Sequence, residues 1–382
     1  MVTNPEDGFG NFAKRSSSKW LRYPADVLPM HVAEMDFEIA EPIKTKLTEM
    51  VRASDIGYLG PIPELAAAFE SFALDRWGWR ADGKQLRLAT DVGVAAVEIL
   101  RAVTNPGDRV LVNSPVYAAF YKWISEVGAV PADAPMVLEG DTWKLDLRAI
   151  EEAFRDGVEV YLLCSPQNPV GTVHSAKDLT AIAKLAKEYS VLVIADEIHA
   201  PLSWVPFTPY LSLGSEAEET GVVISSSSKA WNAAGLKAGF LITQSEAVKA
   251  RLSKLPEALN FRASLLGAHA MVTAYRDGTQ WLDETVRRIQ ENLAHLHIEL
   301  VERLPKARAF AMESTYLAWL DLGAYGVDNL QEEILREAKV SVVAGSDHSH
   351  LGEYKNFIRF NFATSKPRIT EAVRRIANLL EG

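Results

Sequence analysis

The chain has 382 residues, of which 48% are hydrophobic and 24% charged, which is the composition of a folded globular protein and excludes a disordered or low-complexity chain. It carries 50 acidic against 40 basic side chains, and a formal net charge of -10 argues against a nucleic-acid-binding protein. The chain has one cysteine, so an intrachain disulfide is excluded. This residue, Cys164, lies in an apolar run typical of a buried strand, which favours a small core residue.

Residues 1–12 lack the apolar core of a secretory signal peptide, and no run of about 18 apolar residues that could cross a membrane occurs. We therefore expect a cytoplasmic protein that contacts neither membrane nor nucleic acid. At ~100–200 residues per domain, the length predicts two domains, or one large α/β domain with an appendage.

Short apolar segments alternate with helical patterns in the first two thirds of the chain. These segments lack the regular polar and apolar alternation of half-exposed strands, which is typical of strands buried on both faces of a mostly parallel sheet. Helices are predicted over 93–103 and 176–188, and the predicted strands are 109–112, 158–163, 191–195, 221–224 and 238–242. Strands separated by helices predict an α/β domain.

The pattern changes after residue 280. A long amphipathic helix is predicted over 286–304, because its apolar residues recur every three or four positions. It is followed by a predicted strand at 316–320, a helix at 330–337, strands at 340–343 and 357–362, and a last helix at 367–380. We expect an N-terminal segment, 1–45, that packs with a small α+β domain, 284–382, beside a large domain, 46–283.

One lysine stands among hydroxyl side chains directly after a predicted strand. Lys229 follows Ser225–Ser228 at a strand end, where ligands collect in open α/β sheets. Such a lysine could bind a cofactor covalently while the hydroxyl groups hold a phosphate. Taken alone, the segment is explained better by a polar surface loop.

Three further segments carry polar residues at equivalent places. Asp196 ends a buried strand, as a structural cap or as a partner for a protonated ring nitrogen. Asn168 follows another strand, in a Pro/Gly turn or as a donor to a phenolate oxygen. Gly93 and Val94 open a helix, where free backbone amides can bind a phosphate.

Together these residues, in this order and with Lys237 after them, resemble the fold-type-I pyridoxal-5′-phosphate (PLP) enzymes of the class I/II aminotransferase family. The resemblance covers nearly the whole chain. Four segments are similar to the cystathionine β-lyase or C–S lyase branch, the MalY/PatB type: 28–37, 57–58, 196–199 and 228–232. The resemblance implies a large domain with a mostly parallel, seven-stranded-type sheet flanked by helices, plus the small domain.

The resemblance also implies roles for individual residues around the cofactor ring and the substrate. Lys229 would attach PLP covalently and move the proton of the substrate α-carbon, and Asp196 would pair with the ring nitrogen. Tyr117 would stack on the ring and contact the substrate. Asn168 would hydrogen-bond the ring oxygen and would also contact the substrate. Arg359 would bind the substrate carboxylate through its planar guanidinium.

The same resemblance implies further contacts to the cofactor, including its phosphate, and an oligomeric state. His199 would lie beside the cofactor, where aminotransferases usually carry tyrosine. Tyr58 would reach the phosphate of the neighbouring subunit's PLP, so a homodimer with shared active sites is expected. The remaining phosphate ligands would be Gly93, Val94, Ser226, Ser228 and Lys237.

The expected activity is β-elimination of L-cystathionine or related S-substituted cysteines to a thiol, pyruvate and ammonia. A class I/II aminotransferase is the alternative, and a PLP-bound regulatory protein stays open. His31 and Glu34 replace the tryptophan and aspartate that the branch commonly has, so the preferred thioether is open too. His348 and His350 could suit a metal site, but a solvated loop explains them better and no metal is expected.

Overall fold

A computed structural model describes residues 15–382, so the predicted packing of residues 1–14 lies outside the described residues. Within that range the α-helices, α1 to α14 in chain order, are Ser18–Leu21, Glu41–Arg52, Pro63–Trp77, Val92–Val103, Ala119–Glu126, Leu147–Arg155, Ala176–Glu188, Ser215–Thr220, Glu246–Arg251, Ala258–Phe261, Leu265–Asp277, Thr279–Arg303, Leu330–Arg336 and Lys366–Leu380. The strands, β1 to β15, are Leu28–Pro29, Arg87–Ala89, Arg109–Val112, Val130–Asp133, Val137–Glu139, Thr142–Lys144, Val158–Cys164, Leu192–Asp196, Gly221–Ser225, Gly239–Ile242, Arg308–Ala309, Leu317–Asp321, Val340–Ser341, Val343–Ala344 and Phe357–Asn361.

The central sheet has seven strands in the order β2-β10-β9-β8-β7-β3-β4. Pairing is parallel from β9 to β4, and β10 runs antiparallel to both of its neighbours. Successive strand residues enter two separate apolar cores, since Tyr161 and Leu163 belong to one and Val160 and Leu162 to the other. Both faces are covered by helices, so the predicted mostly parallel seven-stranded sheet is confirmed.

The C-terminal part contains a smaller antiparallel sheet, β11-β12-β15-β14. Helix α13 packs against β13 and β14, and α14 packs against β13 and α12. Strand β1 joins this part by pairing in parallel with β13. Helix α12 begins at Thr279, so the predicted domain boundary between residues 283 and 284 falls inside a helix. The limits of the domains stay a prediction.

A buried ionic cluster connects the N-terminal segment to the last helix. The Asp36 carboxylate accepts hydrogen bonds from Lys19 Nζ at 2.7 Å, Arg368 Nη1 at 2.9 Å and Thr364 Oγ1 at 2.7 Å. Its three charged side chains are at most 2% exposed. We call these four residues the Asp36 cluster; it fixes the backbone of residues 31–37 beside the carboxyl ends of the central strands.

The carboxyl ends of β7, β8 and β9 meet at one edge of the sheet. Asn168 follows the first, Asp196 ends the second, and Lys229 follows the third. The topology therefore places the predicted site residues together, as expected for ligands of open α/β sheets. No helix within residues 15–382 is both long and apolar enough to cross a membrane.

Candidate active site

A cavity of about 330 Å³ lies at this edge, within the range of small-ligand sites. The structure brings most of the predicted site residues to its wall. Those that line it are Gly93, Tyr117, Asn168, Asp196, His199, Ser228, Lys229 and Lys237.

Lys229 lies in the loop after β9 and is buried at its amine end. Its Nζ donates a hydrogen bond to the Ala33 carbonyl at 3.1 Å. Burial, with the nearby Arg359 charge, lowers the pKa of Lys229 to about 8. A substantially larger share of this amine is therefore neutral at neutral pH than for an exposed lysine, which makes Lys229 a suitable nucleophile and base.

Asp196 stands at the end of β8, and its Oδ1 accepts a hydrogen bond from the Ile198 amide at 3.1 Å. Within residues 15–382 it forms no ion pair. Burial raises the pKa of Asp196 to about 7, while the Ile198 amide and the Lys229 charge oppose that rise. The carboxyl is therefore ready to share a proton with a basic group in the cavity.

Arg359 projects from β15 and reaches Asn168 from the small sheet. Its Nη1 donates to Asn168 Oδ1 at 3.3 Å and its Nη2 to the His31 carbonyl at 3.2 Å, while Nε is buried without a partner. No carboxylate pairs with it among the described residues. A buried guanidinium with only neutral acceptors favours an anionic ligand.

Aromatic rings form the wall near α4 and α5. Tyr117 lies edge-on to Trp123, with ring centroids 5.9 Å apart. Gly93 faces the same tryptophan, and a Cβ at that position would be 3.1 Å from the Trp123 ring. His199 is buried with Nδ1 unpartnered, and burial lowers its pKa to about 3, so the ring is neutral.

The N-terminus of α4 is partly occupied by a side chain of this chain. Asp91 caps the helix by accepting the Val94 amide on Oδ1 at 2.9 Å, and its Oδ2 accepts Lys237 Nζ at 2.9 Å. Val94 does not line the cavity, whereas Val92 and Gly93 do. Two groups predicted to hold a phosphate, the Val94 amide and Lys237, thus bind the Asp91 carboxylate.

Two further predicted residues lie outside the cavity wall. Ser226 is buried; its Oγ donates to the Ala238 carbonyl at 2.6 Å and accepts the Ser228 amide at 3.0 Å, which fixes the loop before Lys229. Tyr58 is fully exposed and does not line its own chain's cavity. Its predicted role requires a second subunit and stays a prediction.

The two residues that depart from the branch pattern have different surroundings. His31 is buried: Nδ1 bonds to Ser341 Oγ at 2.7 Å, and Nε2 has no partner. Glu34 is partly exposed, and its Oε1 accepts a hydrogen bond from Ser17 Oγ at 2.9 Å. His31 therefore supports Arg359 through its carbonyl, while the Glu34 side chain faces a different space.

The histidines considered for a metal site bind elsewhere. His348 Nδ1 donates to the Val116 carbonyl at 2.8 Å, and His350 Nδ1 lies 3.6 Å from Asp133 Oδ2. Across residues 15–382, no three His, Cys, Asp or Glu side chains form a group that could hold a metal ion.

Sequence reasoning missed four features of the cavity. The Ala33 carbonyl and Trp123 come from segments without a local signal for this site. Cys164 is a buried core residue, as expected, but it also lines the wall. Asp91 had a signal, since an aspartate directly before a predicted helix is a common N-cap.

Comparisons with known proteins agree with this geometry. The sequence model of the family "Aminotransferase class I and II" matches residues 35–376. A Mycobacterium tuberculosis protein with the provisional name cystathionine beta-lyase is 39% identical over 396 residues, covering 96% of this chain and 95% of that protein. Cystathionine beta-lyase PatB of Bacillus subtilis is 31% identical over 96% of this chain and 98% of its own. A solved Corynebacterium diphtheriae structure, provisionally described as a PLP-dependent beta-cystathionase, is 30% identical with a TM-score of 0.91, covering 100% and 99% of the chains.

Proposed function

Because the chain belongs to the class I and II aminotransferase family, we propose that it is a PLP-dependent carbon–sulfur lyase of the cystathionine β-lyase type. The observation that carries the proposal is the buried Lys229 amine facing a cavity that also holds Asp196 and adjoins Arg359. The names of relatives that match this chain along nearly its full length support the lyase over the aminotransferase.

The residues present fit PLP. The Asp196 carboxyl, which forms no ion pair among the described residues, suits a ring nitrogen, and the orphaned His199 Nδ1 adds a polar contact at the cavity wall. Lys237, Ser228 and the amides at the start of α4 would hold the phosphate. Lys229 would attach the cofactor covalently, and Tyr117 would contact the ring.

When bound, PLP withdraws electrons from the α-carbon of an amino acid and makes its α-hydrogen acidic. The Lys229 Nζ would be free once the substrate amine had taken its place, and with its lowered pKa it would accept that proton. Arg359 would fix the substrate carboxylate, and the Asp196 carboxylate would stabilise positive charge on the ring side of the cavity.

Elimination follows from where the electrons go. Once the α-proton is on Lys229 Nζ, the electron pair left at the α-carbon forms a double bond to the β-carbon, and the carbon–sulfur bond breaks. The sulfur leaves with its bonding electrons and takes up a proton as the free thiol. With one water consumed, an S-substituted cysteine yields a thiol, pyruvate and ammonia.

We also propose that the chain is a homodimer. Tyr58 is fully exposed in a single chain, and Ile56 and Phe261 are more than half exposed. Phe261 lines one surface cavity with Leu59, the neighbour of Tyr58, and contiguous exposed apolar side chains are typical of an interface. Mixing Tyr58→Asp, which places a negative charge where the partner's phosphate would bind, with Lys229→Ala should restore one working site if Tyr58 acts across subunits. That site would combine Lys229 of the first chain with Tyr58 of the second. The cytoplasmic location stays a prediction.

The deciding experiment incubates the PLP-loaded protein with L-cystathionine, with and without 2-oxoglutarate. The proposal expects pyruvate and homocysteine in equal amounts, independent of the oxo acid. Glutamate formation that requires 2-oxoglutarate, with no thiol released, would instead identify an aminotransferase.

A further inference from the structure

A second cavity, of about 590 Å³, lies beside the active site. The two share one wall residue, Ala234, and the neighbouring residues Ala33 and Glu34 face one cavity each. The Ala33 carbonyl accepts a hydrogen bond from the Lys229 amine. Ala33 therefore lies between the Glu34 side of the second cavity and the Lys229 amine.

This second cavity carries charges of both signs. Glu34 and Glu38 supply carboxylates, and Arg15 and Lys44 supply cations. Lys44 already pairs with Glu38 at 2.8 Å. Glu34 is paired more weakly, because its nearest cation is Arg15 Nη1 at 3.9 Å and its Oε2 has no hydrogen-bond donor among the described residues.

The backbone of Glu34 is held rigidly. Its carbonyl accepts hydrogen bonds from Lys19 Nζ at 2.9 Å and Asn361 Nδ2 at 2.8 Å. The next residue, Met35, donates its amide to Asn232 Oδ1 at 2.8 Å. The carboxylate is thus presented from a fixed position, which lowers the cost of binding a ligand there.

Glu34 is also coupled electrostatically to the reacting centre. Burial lowers the pKa of Lys229, and the Glu34 charge is one of the groups that oppose this lowering. Burial raises the pKa of Tyr316, and Glu34 adds to that rise. Both effects place the carboxylate within electrostatic reach of Lys229 and Tyr316.

We propose that this second cavity binds the distal amino-acid head of a long thioether substrate through its ammonium group, which would pair with the Glu34 carboxylate. The inference rests on the proposed function and names its substrate class. An S-substituted cysteine held by Arg359 extends its sulfur substituent away from the α-carbon, and a distal ammonium group matches the charge of Glu34. A simple S-alkyl cysteine gains nothing there.

The test compares two substrates of similar length on three proteins. L-Cystathionine carries the charged distal head, and S-propyl-L-cysteine lacks it. Glu34→Gln removes the charge while keeping the size. Glu41→Gln is the control, since Glu41 also pairs with Lys44, at 3.4 Å, but does not line the cavity.

Glu34→Gln is expected to raise KM for cystathionine about tenfold, with little change in kcat and with S-propylcysteine unaffected, because a binding contact to a charged group is lost. Glu41→Gln is expected to leave both substrates unchanged. The inference is overturned if both substrates weaken equally, or if neither does while pyruvate still forms. If the unmodified enzyme forms no pyruvate from either thioether, the proposed function itself fails and the inference fails with it.

Discussion

Two regions of this molecule bury charged side chains, and they differ in whether those charges are paired with each other. In the Asp36 cluster, one carboxylate accepts Lys19, Arg368 and Thr364, so every charge has a partner at hydrogen-bond distance. In the active-site cavity, Asp196 forms no ion pair within the described residues, and Arg359 binds only an amide oxygen and a carbonyl.

The difference separates structure from function. A buried charge that is paired and hydrogen-bonded holds elements together, whereas removing its partner is costly. A buried charge without a counter-ion is costly, and a ligand of opposite charge can remove that cost. Here Arg359 would bind a carboxylate, which an amino acid supplies. Asp196 would bind a basic nitrogen, which PLP supplies.

The largest expected effect comes from breaking the paired region. Asp36→Asn removes the buried carboxylate that accepts hydrogen bonds from Lys19 and Arg368, and we expect a loss of about 3 to 5 kcal/mol in the free energy of unfolding. Urea unfolding measures it. Glu98→Gln, which breaks an exposed pair with Arg101, is the control and is expected to cost less than about 1 kcal/mol. Equal losses in the two variants would show that the cluster is not structural.

The reverse is expected at Arg359. Arg359→Met removes an uncompensated charge, which offsets the loss of two hydrogen bonds, so the free energy of unfolding should stay within about 1 kcal/mol of the unmodified protein. The kcat/KM for cystathionine should fall roughly a hundredfold to a thousandfold, because the substrate carboxylate loses its partner. Destabilisation as large as that of Asp36→Asn would contradict the comparison.

Asp196 gives a prediction about pH. Burial raises its pKa to about 7 in the folded chain from an ordinary value near 3.8, so the folded state binds this proton more tightly than the unfolded state. The stability contributed by the carboxyl is therefore lost as pH rises toward 7. The PLP-free Asp196→Asn variant should gain stability over the unmodified protein between pH 5 and 7, and the gain should level off above. Thermal unfolding across this range checks it; a gain that shrinks with rising pH would contradict the assignment.

The smallest effect concerns Asp91, whose carboxylate competes with a phosphate for Lys237. Asp91→Asn keeps an N-cap but removes the negative charge, so we expect PLP to bind about threefold to tenfold more tightly. Titration of the PLP-free protein, followed by absorbance, measures the dissociation constant. Asp146→Asn is a matched control, because Asp146 caps α6 in the same way and does not line the cavity. Unchanged or weaker binding in Asp91→Asn would refute the competition.

Much of the fold was predictable because its central strands are buried on both faces. The segments around Val160 and Val193 are continuous apolar runs, and their strands were found to within a residue or two. Strand β4, Val-Pro-Ala-Asp, was missed because it lies at the sheet edge, is partly exposed and contains residues that are rare in strands. The resemblance to the family and to its cystathionine β-lyase branch is confirmed.

The site was predictable where its residues follow strands directly, as Asn168, Asp196 and Lys229 do. The site was not predictable where residues distant in sequence contribute to it. Ala33 contacts Lys229, which lies 196 residues away in the sequence, and Trp123 contacts Gly93 from the next helix. The sequence motif also does not reveal that the Asp91 carboxylate binds groups that are expected to hold a phosphate.

The most direct test of the central claim is to locate the cofactor. The PLP-loaded protein is reduced with borohydride, digested and analysed by mass spectrometry, in parallel with Lys229→Ala. We predict one pyridoxyl-modified peptide, with the modification on Lys229, and no modified peptide from the variant. A modification on another lysine, or one that persists in Lys229→Ala, would contradict the assignment of this cavity as the PLP site.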